Sequence, residues 1–336
     1  MFADFVKSIS DLLRDNALTR QEADKLALRF GIDDKTVKKE LIELSIVIVA
    51  REIAQQNLPI EIRFKQIVEL YKNQVNLSHR TSQSIIFQQY STPAPIAFLA
   101  DEYVKHGQKQ NYHIFEPSAG NGLLTISFPE RNCWVNEIDN LRNDNLNTQD
   151  FIQVLKVDAT SELAKDLRFE KKFDGIITNP PFGTYDKTIS FSGFPIKHLD
   201  HIMAIRALDC MKDEGRAAII IGSHTKYDGA GRIQAGKNRI FLSYLYKHYD
   251  VDDIINIDGS LYSKQGTSFD VRLILVCGRK LKPEGFPPLK SDNANPVTDF
   301  ENLYERVVRH FRNKGNRLKV AMAKAKSIML LQLQGT

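Results

Sequence analysis

Four consecutive residues, Asn179-Pro180-Pro181-Phe182, bring together a side-chain amide, a proline carbonyl and an aromatic ring. They follow the apolar run Phe173-Asp174-Gly175-Ile176-Ile177-Thr178, which reads as a buried strand: short, β-branched and ended by a breaker. Two prolines in succession cannot continue a sheet, because neither has an N–H and both have a fixed φ. The chain is expected to turn away at the mouth of a parallel sheet, where α/β proteins place their sites. Amide, carbonyl and ring together suit a flat group that carries an exocyclic amine. The competing reading is a strand followed by an ordinary proline-rich turn, and the residues upstream separate the two.

An earlier apolar run ends in Glu116-Pro117-Ser118-Ala119-Gly120-Asn121-Gly122. Glycines at this point let the backbone turn tightly and approach a ligand with no Cβ in the way. The spacing is not that of a dinucleotide site, and an acid with two glycines suits a cationic, phosphate-free ligand better than a pyrophosphate. S-adenosylmethionine is such a ligand, with its sulfonium, amino-acid group, ribose and adenine. About 20 residues on, Asn136-Glu137-Ile138-Asp139 closes a second strand, and a carboxylate there is placed to accept both ribose hydroxyls. Val157-Asp158-Ala159 closes a third, where Asp158 could accept from an adenine amine. Each acid alone reads as a helix cap or a surface charge. Three at successive strand ends, followed by the Asn-Pro-Pro-Phe turn, read as one site.

The elements that must position these residues alternate in type from about residue 112, the pattern of a parallel sheet with crossover helices. Strands are expected at 112–116, 133–137, 153–157, 173–178, 217–221, 254–257 and 271–277, the last two as an antiparallel pair at one edge. Residues 1–80 have helical periodicity throughout and read as a small bundle, with Asp33 or Asp34 capping a helix toward Gln56 and Pro59 opening the next. Within it, residues 27–41 follow the helix-turn-helix pattern, whose second helix enters a major groove. An ordinary helix–helix corner fits the same residues. Thr92 suits an N-cap with Pro93 in the first helical position. Residues 280–296 read as a linker and 299–334 as a helix made basic by Arg306, Arg309, Arg312, Lys314, Arg317, Lys319, Lys324 and Lys326. Such a run is either a solvated face or a polyanion contact.

The 336 residues are 42% hydrophobic and carry a net charge of +5, enough for a large core and about two domains. The pI near 8.9 is compatible with a polyanionic partner without requiring one. Cys133, Cys210 and Cys277 lack metal-ligand spacing and read as reduced thiols in a cytoplasmic protein, and no metal site is expected. No apolar run reaches membrane-spanning length, and Met1-Phe2-Ala3-Asp4 does not open a signal peptide.

Residues 84–280 resemble the S-adenosylmethionine-dependent DNA methyltransferases that act on adenine N6, in the gamma arrangement: the Tyr90-Ser91-Thr92-Pro93 element, then the glycine loop, then Asn-Pro-Pro-Phe. The resemblance implies a class I methyltransferase sandwich, a mostly parallel seven-stranded α/β sheet of order 3-2-1-4-5-7-6 with an antiparallel edge strand. Three segments are expected: helices to residue 80, a catalytic domain over 81–280, and a linker with a basic helix beyond. It implies cofactor contacts from Tyr90, Thr92, Glu116, Pro117, Ser118, Ala119, Gly120, Asn136, Glu137, Ile138, Asp158, Ala159 and Asn179, and catalysis at Asn179 through Phe182. It also implies that Phe182 and Tyr262 pack on the target base. Residues 215–280 further resemble methylases of mobile elements found beside strawberry-notch-type helicases, so a helicase or a restriction partner joins DNA among the expected partners. Restriction-system enzymes of this arrangement carry a large recognition domain after the catalytic half, whereas about 55 residues follow Lys280 here. The chain is then a piece of a longer protein, or a low-specificity enzyme, or its helical ends do the reading. Two other substrates pose the same amine problem: a release-factor glutamine amide and RNA adenine. Phe182 in place of Tyr, and the Tyr-Ser-Thr-Pro element, argue against the first.

Overall fold

Strands apolar on both faces form the middle of the molecule. The computed structural model describes residues 1–15, 17–77 and 91–312. In chain order the strands are β1 (Ile114–Glu116), β2 (Cys133–Asn136), β3 (Gln153–Leu155), β4 (Phe173–Thr178), β5 (Thr184–Phe191), β6 (Phe194–His198), β7 (Met211–Gly222), β8 (Tyr249–Ile257) and β9 (Val271–Arg279). Successive side chains in a strand point to opposite faces. Thus Ala218 and Ile220 of β7 enter one hydrophobic core while Ala217, Ile219 and Ile221 enter the other, all fully buried. Burial on both faces requires helices on both, which is why these strands read as continuous apolar runs.

Seven strands form one sheet in the order β3-β2-β1-β4-β7-β9-β8. Pairing is parallel from β3 to β7, and β9 runs antiparallel to both β7 and β8. Numbered among themselves these seven run 3-2-1-4-5-7-6, the class I methyltransferase order. The one reversed strand is second from the edge, and β8 is the edge itself. The expected strands all exist. Those after residue 210 are longer than their apolar runs: β8 and β9 extend through polar residues such as Asp253 and Arg279 that still pair, and β7 runs through an irregularity between Met211 and Arg216. One element was not anticipated: β5 and β6 form a separate antiparallel hairpin directly after the Asn-Pro-Pro-Phe turn. Its turn is Ser192-Gly193, both at positive φ (49° and 85°), the geometry of a tight two-residue hairpin loop.

One face of the sheet is covered by α1 (Phe2–Asp15), α2 (Arg20–Arg29), α3 (Lys35–Ala54), α4 (Ile60–Asn73), α5 (Ala94–Lys105) and, at the end of the described chain, α10 (Phe300–Arg312). The other face takes α7 (Leu163–Asp166), α8 (Leu199–Asp209), α9 (Lys237–His248) and the hairpin, while α6 (Asn140–Asn147) lies beyond β2 and β3. The N-terminal helices therefore share a core with the sheet. Asp34 caps α3, its carboxylate accepting from the amides of Thr36 and Val37. Twelve of the 20 residues of α3 are buried. From Glu40 on α3 packs into the fold, while Leu28 and the first turn of α3 stay at least partly exposed, so residues 27–41 form a helix–helix corner at the surface. Thr92 does not cap α5. Pro93 holds the N-cap position with no side-chain cap, and the Thr92 hydroxyl is engaged elsewhere. None of the described helices is long and apolar enough to cross a membrane.

The basic C-terminal stretch is partly structural. Tyr304 of α10 stacks on Phe64 with ring centroids 4.9 Å apart, and Phe311 stacks on His106 at 4.7 Å. Arg306 forks onto Asp253 of β8 through Nε and Nη2, at 2.9 and 2.8 Å. This arginine is thus an anchor and not a solvated charge. Lys314, Arg317, Lys319, Lys324 and Lys326 lie outside the described residues.

Burial pushes the Asp253 carboxyl up, but hydrogen bonds from Arg306 and His310 outweigh it and hold the group at about 2, below its ordinary 3.8. A depressed carboxylate contributes stability that is complete above the unfolded value and lost as pH falls through the folded one. Asp253→Asn removes that component. Between about pH 4 and pH 2 the parent should lose roughly 2 kcal/mol more than the variant in urea unfolding. Parallel losses would show that α10 is held by apolar packing alone.

Candidate active site

The C-terminal edge of the parallel strands opens into a cavity of about 480 Å³, within the range that takes a small-molecule ligand. Its floor is the glycine loop. Gly120 and Gly122 have φ of +56° and +94°, the left-handed region. A Cβ on Gly122 would also meet the Phe151 ring at 3.2 Å, so the loop takes this shape only with glycine there.

The carboxylate of Glu137 at the end of β2 is fixed from below. The amide of Gly120 donates to its Oε2 at 2.8 Å and that of Asp139 to its Oε1 at 2.9 Å. It lines the cavity, and burial pushes its pKa up. Asn136 also borders the cavity but is used as a staple. Its Nδ2 donates to the carbonyls of Pro117 and Val157, and its Oδ1 accepts from the Val157 amide, locking three strand ends together. Ile138 is 54% exposed on the cavity wall and offers an apolar face to a flat ring. Asp158 accepts from the Thr160 amide and hydroxyl through Oδ1 and borders the cavity beside Ala159.

Glu116 is placed differently from its neighbours in sequence. It is fully buried beneath the floor, while Pro117, Ser118, Ala119 and Gly120 line the cavity above it. Its Oε1 accepts weakly, at 3.3 Å, from the Ser118 amide and hydroxyl, and its Oε2 has no partner among the described residues. Burial pushes this carboxyl well above its ordinary range. An orphaned buried acid under a glycine cradle is what a cationic, phosphate-free ligand would suit.

Above the floor the Asn-Pro-Pro-Phe turn leaves β4. Asn179 Nδ2 donates to the Thr92 hydroxyl at 2.9 Å, joining two segments 87 residues apart. The half-buried Phe182 ring packs on Gly222 at the end of β7, and the hairpin then closes a side wall through Tyr185, whose hydroxyl meets that of Thr160 at 3.4 Å. Sequence reasoning missed this wall because β5 is mostly polar and alternates poorly, although the Ser-Gly pair marks its turn. It also missed Gln265, which lines the cavity and donates to the Thr92 carbonyl at 3.3 Å, and Glu43 and Arg142, brought in by α3 and α6.

Of the remaining expected residues, one is not described and one is not brought here. Tyr90 lies outside the described residues. Tyr262 does not line the cavity: it is 1% exposed in the core, its hydroxyl without a partner among the described residues and its pKa pushed up by burial. The surrounding segment is strapped to α4, with Tyr71 donating to the Leu261 carbonyl at 2.8 Å and accepting from the Lys264 amide. That strap turns Tyr262 inward and Gln265 outward, so the ring is a core residue.

No family model matches the chain. Over 207 residues it is 26% identical to the type II methyltransferase M.AccI of Acinetobacter calcoaceticus, a match covering 56% of this chain and 35% of that protein. The chain thus aligns with about a third of the length of this curated relative. Among solved structures it is similar to a Listeria monocytogenes protein named as a class I S-adenosylmethionine-dependent methyltransferase: 15% identity, TM-score 0.46, 92% of this chain and 99% of that one. It is similar also to the M protein of the type I restriction enzyme EcoKI, at 15% identity and TM-score 0.45, covering 91% and 76%. At these values the likenesses add nothing to what the strand order already shows.

The contact beneath Phe182 generates a test that does not depend on any activity. A Cβ on Gly222 would meet two ring atoms of Phe182 at 3.1 Å, so the ring must shift. Gly222→Ala should cost about 1–2 kcal/mol in urea unfolding, the range for overpacking. In a Phe182→Ala background the cost should vanish, since interacting neighbours are not additive. Equal costs in both backgrounds would mean that the ring does not rest there.

Proposed function

We propose that this chain binds S-adenosylmethionine and transfers its methyl group to the N6 amine of adenine in DNA. The observation that carries the reading is the Asn179–Thr92 hydrogen bond, which presents the Asn-Pro-Pro-Phe turn to a cavity floored by a glycine loop. The similarity to a type II methyltransferase supports it. The donor set fits the cofactor: Glu137 for the ribose hydroxyls, Ile138 and Asp158 for the adenine, and the cradle above Glu116 for the rest. When bound, the cofactor supplies a methyl group on a sulfonium, already a good leaving group.

The chain's own residues prepare the acceptor. The exocyclic nitrogen of adenine is a poor nucleophile because its lone pair is delocalised into the ring. The Asn179 side chain carries an acceptor, Oδ1, beside the Nδ2 that donates to Thr92. The Pro180 carbonyl is a second acceptor. Accepting hydrogen bonds from both N–H groups of the amine favours a pyramidal nitrogen whose lone pair points along the line of attack. That contact is stronger in the transition state than in the ground state, which is what lowers a barrier. Phe182 offers its ring face to the base. Extruding a base costs a few kcal/mol, and stacking on an aromatic ring returns about 1–3 kcal/mol. Transfer needs the reacting atoms in line and about 3–3.5 Å apart, and a cavity that takes both reactants would have to hold them so.

The test is single-turnover transfer of labelled methyl from S-adenosylmethionine to unmethylated DNA, with mass spectrometry of the digested nucleosides. The expected product is N6-methyladenine. Asn179→Ala should bind the cofactor but lose two or more orders of magnitude in kcat, about 3–4 kcal/mol of transition-state stabilisation. Phe182→Ala should lose less, and part of its defect should be recovered on single-stranded DNA. Label recovered in RNA or in a protein glutamine, or unchanged turnover in Asn179→Ala, would overturn the assignment.

A further inference from the structure

The cavity has a wall that the strand ends do not supply. Helix α3 contributes Glu43, Ile46 and Val47, and α6 contributes Arg142. Their charges are organised. Arg142 gives Nε and Nη2 to the two oxygens of Glu40, at 2.8 and 3.2 Å. Its Nη1 has no hydrogen-bond partner among the described residues, and it lies 3.9 Å from where a Cβ on Gly120 would stand. Glu43 accepts from the Ser91 hydroxyl at 2.7 Å through Oε1 and from Asn121 Nδ2 at 3.2 Å through Oε2. Its nearest cations stay outside hydrogen-bond distance, Lys39 at 3.8 Å and Arg142 at 3.7 Å.

Both side chains are 6% exposed, and what is exposed borders the cavity. Burial works against each charge. Glu40 is nonetheless held low by Arg142, whereas burial and the neighbouring Glu40 push Glu43 up. Glu40 and Arg142 thus satisfy each other, and Glu43 is the member whose two cations stand beyond hydrogen-bond distance. A cation arriving beside Glu43 would supply it, and an anion beside Nη1 would complete Arg142.

One anion and one cation side by side at the edge of a cavity are the complement of a zwitterion. We propose that Glu43 and Arg142 clamp the α-amino-acid end of the ligand, Glu43 accepting from its ammonium and Arg142 Nη1 donating to its carboxylate. The nucleoside end is already provided for by Glu137, Ile138 and Asp158. Ser91 belongs to the segment that also holds Asn179, so the clamp sits beside the reacting turn. The N-terminal helices would then be part of the ligand site. The inference rests on the cofactor reading above.

Two probes separate it from that reading. S-adenosylhomocysteine carries the amino-acid end, and methylthioadenosine keeps the nucleoside and thioether without it. Calorimetry on Glu43→Gln should show affinity for S-adenosylhomocysteine reduced roughly tenfold or more, the scale of one charge-assisted hydrogen bond, with methylthioadenosine changed less than about twofold. Ser91→Ala, which releases Glu43 without altering its charge, should shift the same ratio in the same direction by a smaller factor. Equal weakening of both probes would mean that Glu43 only braces the floor, and no weakening of either would remove it from the site. Either result overturns the clamp while leaving the cofactor reading intact. If the parent protein binds neither probe, the cofactor reading itself fails and the clamp with it.

Discussion

The hydrogen bond from Asn179 to Thr92 is the constraint on which the site depends. It is a short polar contact between segments 87 residues apart, and it orients an amide that would otherwise rotate. Thr92 is in turn held on two sides. Gln265 donates to its carbonyl, and the adjacent Ser91 donates to Glu43 of α3. Four elements distant in sequence therefore fix one side chain: the end of β4, the entry to α5, the loop after β8 and the N-terminal helical layer. Because the prolines prevent β4 from continuing, the turn has no ladder of its own to hold it. Its geometry comes from these side-chain contacts.

The same logic explains the buried charges. Glu40, Glu43 and Arg142 are nearly inaccessible, and Asn121 of the glycine loop donates to both acids. Buried ion pairs are weak sources of net stability, because desolvation offsets most of the attraction, yet removing one partner strands the other. The cluster is better understood as fixing position. It sets α3 and α6 against a loop whose glycines give it no side-chain packing of its own. Arg51 and Gln55 extend the seam, donating to Thr125, Gln149 and the carbonyls of Ile126 and Phe128. With so many polar ties at its end and along its length, α3 is part of the scaffold of the site.

A second seam holds the edge of the sheet. Edge strands expose unpaired backbone groups, and proteins cover them with other elements. Here the chain returns after its irregular stretch, Val297 bridges to Ile257 of β8, and α10 is pinned through Arg306 to Asp253. Aromatic contacts from Tyr304 and Phe300 to Phe64 and Tyr71 tie the same helix to α4. The first and last described helices thus belong to one layer.

The sequence alone determined the sheet and the floor of the site. Short continuous apolar runs, buried on both faces, locate strands whatever surrounds them, and the breakers Gly120, Gly122, Pro180 and Pro181 mark where they must end. The strand-end acids were legible for the same reason, since a position at the end of a strand is a local property. Tertiary structure decided the walls. Glu43, Arg142 and Gln265 sit on segments whose local pattern says helix or loop and nothing of what they face. The strap from Tyr71 decided that Tyr262 turns inward, a contact across 190 residues that no local signal encodes. The polar hairpin after Phe182 is held by α8 and α9 beneath it, not by its own alternation. Thr92 has the residue type of a cap, and only the arrival of Asn179 gave its hydroxyl another partner. What depends on a residue's own type and its near neighbours can be read along the chain, whereas the direction in which a side chain finally points is set by distant segments that compete for it.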